Sequence, residues 1–239
     1  MTLNASLLDW LGLVVFFASV AIYARYADHA GDRLLNARMR EIRTQWMRRY
    51  LERQDRVLDS ILTGHSMNSI ALFCSATLLI LVALLGVLTN ADAAYTIATA
   101  SSFVVHSTKD LFQAKLIGLV CVFVHGFYRF TWALLQYNYF LALVGAAPLR
   151  DRLTPPAIEA IGKQMSVVLN SAVTSFHSGF RTYYYALAWV GWFFHPLVFI
   201  AATTFVTFVL VYRQFSSPSA GAIKSYAALL HEVDRDPER

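Results

Sequence analysis

The segment from Lys115 to Pro148 is apolar over a length that can cross a lipid bilayer, yet it contains His125, Arg129, Gln136 and Asn138. A membrane-spanning helix needs about 20 predominantly apolar residues, and an ionisable side chain at that depth costs a few kcal/mol unless it faces protein or water. His125, Arg129 and Gln136 are separated by four and seven residues, so they share one helical face. The segment therefore predicts a membrane helix with an inward polar stripe, from which Asn138 is displaced.

Three further apolar runs extend this pattern to the rest of the chain. Of the 239 residues, 57% are hydrophobic and only 15% are charged, a balance outside the usual range of soluble domains. The predicted spans are 7–26, 67–88, 116–141 and 183–212, the last with a kink predicted at His195-Pro196, where proline removes a backbone donor. We predict an all-α fold, a polytopic membrane helical bundle whose four transmembrane helices form one domain over 1–215, followed by a polar tail over 216–239.

Two segments between the spans have the periodicity of amphipathic helices, and we predict them as cytoplasmic helices over 30–62 and 155–177. The first is rich in arginine and contains no lysine. Candidate binding residues on or just after these helices are Arg48, Arg49, Arg53, Asn170, His177 and Arg181. Such side chains can meet anionic lipid or a partner protein. The alternative is a solvated connector, since runs of surface charge usually only keep a helical face in water.

The distribution of basic residues predicts the orientation of the chain. Lysine and arginine are concentrated in the connectors that contain the two amphipathic helices, whereas the connector after the second span has only Lys109 and Lys115. The positive-inside rule places both long connectors in the cytoplasm and, with four spans, both termini on the periplasmic side of a bacterial inner membrane. Residues 95–105 are too short and too polar to cross, and form either an external loop or a re-entrant segment.

Three groups of residues resemble a known family. They are Trp46-Met47-Arg48-Arg49 with Leu51 to Asp59, Phe130-Thr131-Trp132 with Gln136-Tyr137-Asn138, and Arg181-Thr182-Tyr183-Tyr184 with Trp192 to Pro196. In order and spacing, over residues 7 to 215, they resemble the family catalogued as domain of unknown function 599, a group of four-span membrane proteins. The resemblance implies the architecture and no activity. His177 stands where this family leads us to expect asparagine, so no role is carried over to it.

The polar residues in the spans support a first hypothesis, an oligomeric channel- or transporter-like protein. Copies arranged around an axis would line a path with side chains that are expensive to bury in lipid. The pore or ligand-lining candidates are His125, Arg129, Gln136, Asn138 and His195. The alternative for the same residues is packing, with Arg129 paired to a carbonyl or carboxylate and fixing neighbouring helices.

A second hypothesis is an accessory or assembly subunit of a membrane complex. It acts either as a scaffold through the arginine-rich helix or by binding haem, since His125 and His195 lie in different spans and imidazoles from two helices can ligate haem iron. No other cofactor and no metal site is expected, and Cys74 and Cys121 are predicted to be packing residues. The sequence has no nucleic-acid motif and no common hydrolase or phosphate-loop motif. We therefore expect lipid and membrane-protein partners, copies of this chain included, and no catalytic residue.

Overall fold

The computed structural model describes residues 5–29, 35–100, 107–215 and 217–235, and every regular element in these ranges is a helix. The helices are α1 (Leu7–His29), α2 (Leu35–Glu52), α3 (Val57–Thr89), α4 (Ala91–Thr99), α5 (Lys109–Ala146), α6 (Pro155–Phe194), α7 (Pro196–Phe215) and α8 (Pro218–Arg235), with one 3-10 turn at Arg150–Arg152. The predicted all-α fold is confirmed.

Four segments are long and apolar enough to cross a membrane, namely Leu7–Arg25, Val57–Thr89, Lys109–Ala146 and Pro196–Leu230. Their large apolar side chains are widely exposed: Leu79 on α3 is 71% exposed and Phe205 on α7 is 66% exposed. Monomeric soluble proteins rarely expose apolar faces of this kind to water, whereas the lipid of a membrane covers such faces without a loss of free energy. The predicted class of polytopic membrane protein therefore agrees with the structure.

The chain forms two compact units. Unit 1 consists of Met1–Arg25, Ala71–Thr131 and Phe176–Val209, and unit 2 of Tyr26–Ile70, Trp132–Ser175 and Leu210–Arg239. The boundaries fall inside α1, α3, α5, α6 and α7. The single domain predicted over 1–215 takes no account of this division, because a continuous helix carries no turn or composition signal at such a boundary.

Within unit 1, the C-terminal part of α6 runs beside four other helical segments. Trp192 Nε1 donates to Asp9 Oδ1, and the Arg181 guanidinium lies 5.5 Å from the centre of the Tyr23 ring, so α6 and α1 are antiparallel. Gly118 and Gly126 of α5 approach α6 in the same antiparallel sense. Small residues at such positions let membrane helices pack closely.

Helix α3 runs parallel to α6 in this unit and joins it through rings. The aromatic cluster of unit 1 consists of Phe73, Phe130, Phe176, Phe180 and Tyr183, with centroid separations of 4.4 to 6.2 Å. Phe130 is fully buried, and a Cβ added at Gly179 would approach its ring to 2.6 Å. Glycine at 179 is therefore required for the contact between α5 and α6.

The residues of the predicted span over 183–212 do not form one continuous helix, because the chain reverses direction inside it. Tyr185 Oη and Thr207 Oγ1 are 3.2 Å apart, whereas a continuous helix would separate these residues by about 33 Å at 1.5 Å per residue. Helices α6 and α7 therefore form an antiparallel hairpin. The predicted amphipathic helix over 155–177 correspondingly continues without interruption to Phe194.

The reversal occurs at the dipeptide for which a kink is predicted. His195 Nδ1 accepts a hydrogen bond from the Leu197 backbone N–H, which satisfies one of the orphan donors at the start of α7. Pro196 occupies the first position of that helix, where its missing N–H is harmless. A histidine cap followed by proline at this position thus starts a new helix instead of bending an old one.

In unit 2, α2 lies antiparallel to the first half of α6. Three side-chain pairs join them along their length: Arg43 with Asn170, Thr44 with Ser166, and Arg48 with Glu159. The predicted amphipathic segment over 30–62 is divided here, since α2 ends at Glu52 and α3 begins at Val57. The predicted polar tail over 216–239 contains α8, which packs against α2.

Candidate ligand cavity and buried polar sites

Unit 1 contains a cavity of about 570 Å³ between α1, α5 and α6. Its walls extend from Phe16 to Ala24 on α1, from Gly118 to His125 on α5 and from Ser178 to Trp189 on α6. This volume lies within the range of small-molecule sites, which are mostly apolar and carry a few convergent polar groups.

Glycines of α5 bring α6 close along this wall of the cavity. The Trp189 ring covers Gly118, where a side chain would clash with it, and its Nε1 donates to the Lys115 carbonyl at 2.8 Å. Cys121 and His125 follow at intervals of three and four residues, so they lie on the same side of α5. Both side chains are exposed, and both line the cavity.

The two ends of the cavity differ in chemistry. Phe16 packs edge to face against Trp189 at 5.0 Å, so one end is aromatic and apolar. At the other end, Arg181 lies over the Tyr23 ring. Gly126, the neighbour of His125, would bring a Cβ to within 3.1 Å of Thr182, so His125 lies at the level of Arg181. One end of an otherwise apolar cavity therefore carries a fixed positive charge and an imidazole.

A second polar cluster in unit 1 is closed and satisfied internally. Asp9 and Lys115 are 5% and 4% exposed, and their charged groups are 4.0 Å apart. Trp192 joins them: its indole N–H donates to Asp9 Oδ1 at 2.6 Å, and its carbonyl accepts from Lys115 Nζ at 2.9 Å. The backbone N–H and the hydroxyl of Ser6 complete the shell around Asp9. This cluster ties α1, α5 and α6 together.

Sequence reasoning missed this cluster. Asp9 and Lys115 are 106 positions apart, and each lies near the start of an apolar helix, where a charge is ordinary. The signals available were that Asp9 is the only acidic residue of the predicted span 7–26 and that Lys115 directly precedes the predicted span 116–141. Pairing these two residues would have been a testable guess.

The predicted polar stripe does not line one space. His125 faces the cavity of unit 1, whereas Arg129 is not among its lining residues, and the buried Arg129 Nε has no hydrogen-bond partner among the described residues. Gln136 lies in unit 2 and is held by the hydroxyls of Ser171 and Ser175 on α6. A helical stripe on α5 thus meets different neighbours as the helix passes from one unit to the other.

The two remaining lining candidates lie away from the cavity. Asn138 is exposed on α5 in unit 2, and His195 forms the cap between α6 and α7. His125 is level with Thr182, thirteen residues before His195 along α6, which is about 20 Å at 1.5 Å per residue. The structure therefore does not bring His125 and His195 together as a pair of haem ligands.

The candidates on the amphipathic helices are mostly engaged within unit 2. Arg48 pairs with Glu159, and Arg53 contacts both oxygens of the buried Asp59 at 2.9 and 3.1 Å. Asn170 Oδ1 accepts from Arg43 Nε. Burial lowers the pKa of Arg43 to about 10, since a desolvated guanidinium holds its proton less strongly. These contacts are those of a packed helical connector.

Three candidates differ from this pattern. Arg49 is partly buried on α2 in unit 2, and His177 is exposed on α6 in unit 1. Arg181 also belongs to unit 1, where it lines the cavity together with His125. Of the sequence candidates, His125 and Arg181 are the two that the structure places in one cavity, although the sequence assigned them to different surfaces.

The remaining predictions concern the segment 95–105, the two cysteines and metal binding. Part of the segment 95–105 forms α4, which ends at Thr99, while 101–106 lie outside the described residues. Cys74 is partly buried and Cys121 is exposed, and both are free thiols. No group of three or more His, Cys, Asp or Glu side chains within the described ranges has the arrangement of a metal site.

Comparison with known proteins adds one finding. A family model described as "Protein of unknown function, DUF599" matches residues 10–219, which is most of the chain. The chain belongs to the DUF599 family. The resemblance drawn from the three groups of motifs is thereby confirmed. No curated protein matches the chain, and no solved structure does either.

Proposed function

We propose that this DUF599 protein is a membrane ligand-binding protein of transporter type, whose ligand enters the cavity of unit 1 from the lipid. The observation that carries the proposal is the cavity itself, about 570 Å³ between α1, α5 and α6, with His125 and Arg181 at one end of apolar walls. Polar and ionisable groups at membrane depth usually mark a ligand pathway when they face a cavity. A single copy forms this cavity, so binding does not require the predicted oligomer.

An axial pore lined by the polar stripe is supported less well. Gln136 is held by two serine hydroxyls of the same chain, and Arg129 does not reach the cavity that His125 faces. A path would need these side chains to share one water-filled surface. The ligand site is therefore assigned to the cavity instead of to the stripe.

The proposal is tested through Cys121, a free thiol on the cavity wall. In a Cys74→Ser protein reconstituted into nanodiscs, we expect a membrane-soluble maleimide to label Cys121 and a bound amphiphile to slow the labelling. The matched control is Val124→Cys in a Cys74→Ser/Cys121→Ser background. Val124 is 49% exposed on the same helix and is not a lining residue. It should be labelled at a rate that the amphiphile leaves unchanged. If the amphiphile changed the labelling rates of the two thiols equally, that result would refute a ligand-binding cavity.

We infer a revised membrane topology, which the helix directions in unit 1 support. Segment 176–194 of α6 is parallel to α3 and antiparallel to α1, α5 and α7. Although Arg181 lowers its hydropathy, we infer that this segment is a fifth crossing of the bacterial inner membrane. The positive-inside rule places the N-terminus on the periplasmic side. With five crossings instead of four, the C-terminus then lies on the cytoplasmic side.

Reporter fusions distinguish this topology from the four-span alternative. Alkaline phosphatase is active only outside the cytoplasm, whereas green fluorescent protein exported in unfolded form is dark outside it. We expect a C-terminal green fluorescent protein fusion to fluoresce and a C-terminal phosphatase fusion to be inactive. The reverse pair of results would restore four crossings with both termini in the periplasm.

A further inference from the structure

We infer that the ligand of the unit 1 cavity is a single-chain amphiphile with an anionic head, a carboxylate or phosphate monoester on one hydrocarbon chain. The inference rests on the proposed function and names its substrate class. Its basis is the distribution of chemistry along the cavity, which separates a long apolar part from one cationic end.

The apolar part matches a hydrocarbon chain in surface and length. Phe16, Phe17, Val20, Val122 and Trp189 line it. The whole cavity, with its polar end, follows α1 over nine residues and α6 over twelve, which corresponds to a length of about 12–17 Å at 1.5 Å per residue. One extended chain of medium length fills a space of this length, and burying its methylenes contributes about 0.8 kcal/mol each. A small hydrated ion would leave these walls unused.

The polar end selects the sign of the head group. Arg181 provides a permanent positive charge, since guanidinium does not lose its proton in proteins, and the Tyr23 ring beneath it fixes its position. The hydroxyl of Ser178 and the imidazole of His125 line the same end. Guanidinium presents paired N–H donors that match a carboxylate or phosphate. Among the described residues that line the cavity there is no Asp or Glu, so the charged side chain that a head group meets there is the cationic Arg181.

The volume favours a ligand with one chain. A cavity of about 570 Å³ holds a molecule of drug size, whereas a two-chain phospholipid is considerably larger. The surrounding bilayer offers two-chain lipid in large excess. If such lipid occupied the cavity, Cys121 would already be protected in phosphatidylcholine nanodiscs before any amphiphile is added.

The test compares three amphiphiles that share a dodecyl chain and differ in the head: dodecyl phosphate, dodecanol and dodecyltrimethylammonium. The readout is the protection of Cys121 from maleimide in phosphatidylcholine nanodiscs, normalised to the Val124→Cys control to correct for partitioning into lipid. Since a hydrogen bond to a charged group contributes about 1.5–3 kcal/mol, which is about 10- to 150-fold in affinity, we expect dodecyl phosphate to protect at a concentration at least about tenfold lower than the other two.

Three arginine variants test whether Arg181 is responsible for the preference for dodecyl phosphate. Arg181→Gln should abolish the preference for dodecyl phosphate and keep protection by dodecanol. Arg129→Gln, which removes the same charge from α5 outside the cavity lining, should keep the preference. Arg181→Lys retains the charge and should retain part of the preference. It also provides a folded comparison where the glutamine variant gives no monodisperse peak in size-exclusion chromatography.

The outcomes separate the two proposals. Equal protection by the three dodecyl compounds, or a preference that survives in Arg181→Gln, overturns the anionic ligand and leaves the cavity as a binding site. Strong protection by phosphatidylcholine alone overturns the single chain. Failure of every amphiphile to protect Cys121 overturns the proposed function itself.

Discussion

The strongest test of how unit 1 holds together is removal of one partner from the Asp9, Lys115 and Trp192 cluster. Asp9→Ala deprives Lys115 of its counter-charge and leaves the Trp192 indole N–H without an acceptor. Two unit charges 4.0 Å apart interact by about 4 kcal/mol at an effective dielectric constant of about 20. Breaking a buried pair on one side costs about 3–5 kcal/mol, because the remaining charge stays buried. We expect each of Asp9→Ala and Lys115→Met to destabilise the protein by that amount.

The double variant carries the decisive information. Asp9→Ala/Lys115→Met leaves no unpaired charge, so it should cost about 1–3 kcal/mol less than the sum of the single variants. The assay is the free energy of unfolding from titration of detergent micelles with dodecyl sulfate, followed by circular dichroism. Lys109→Met is the matched control. The Lys109 side chain is 47% exposed and that of its partner Asp92 is 75% exposed. Exposed ion pairs contribute about 0–1 kcal/mol to the free energy of unfolding.

Additivity of the two single variants would refute the reasoning, since it would show that the charges at 4.0 Å do not sense each other. A cost for Lys115→Met equal to that of Lys109→Met would refute it as well. Additivity would mean that the hydrogen bonds of Trp192 hold this end of unit 1 without help from the ion pair, whereas a small cost for Lys115→Met would mean that neither the ion pair nor the Lys115 bond to the Trp192 carbonyl holds it.

Two further predictions concern helix contacts. Gly118→Ala should destabilise unit 1 by about 1–3 kcal/mol because its methyl group clashes with the Trp189 ring, whereas Gly145→Ala, which has open space on the same helix, should stabilise by up to about 1 kcal/mol through helix propensity. Asn170→Ala should cost about 1.5–3 kcal/mol by leaving the Arg43 Nε unpaired. Arg43→Met/Asn170→Ala should recover most of that loss, because burial already disfavours the charged guanidinium and has lowered its pKa to about 10. Unfolding in the same detergent titration measures all four variants, and an equal effect of the two glycine substitutions, or no recovery in the double variant, would contradict these expectations.

Composition and periodicity predict most of the helical segments of this chain. Apolar runs of membrane length identify α1, the membrane part of α3 and α5, because lipid requires about 20 apolar residues and leaves little freedom in the pattern. Thr154-Pro155-Pro156 marks the start of α6 for an equally local reason: Thr154 precedes the helix, and its first residue is a proline. Signals of this kind depend on neighbours in sequence, so one sequence is enough to read them.

The course of the chain after residue 177 could not be predicted in the same way. The segment from His177 to Phe194 includes Arg181 and several tyrosines, so its hydropathy resembles neither a span nor an amphipathic connector. Its position in unit 1 depends on partners far away in sequence, such as Tyr23 and Gly126. The reversal at His195 has a local signal, but proline after histidine is compatible with both a kink and a new helix. The contact between Tyr185 and Thr207, on either side of the dipeptide, decides between them.

The contrast between the two polar clusters of unit 1 is the reason for placing function at the cavity. Asp9 and Lys115 are nearly inaccessible to solvent, and each is paired and hydrogen-bonded within the chain. A ligand therefore cannot reach their charged groups. Arg181 and His125 instead border a cavity that a ligand can enter, with apolar walls that the chain itself does not fill. An anionic head group would meet the positive charge of Arg181 at one end of the cavity, while its hydrocarbon chain would cover the apolar walls.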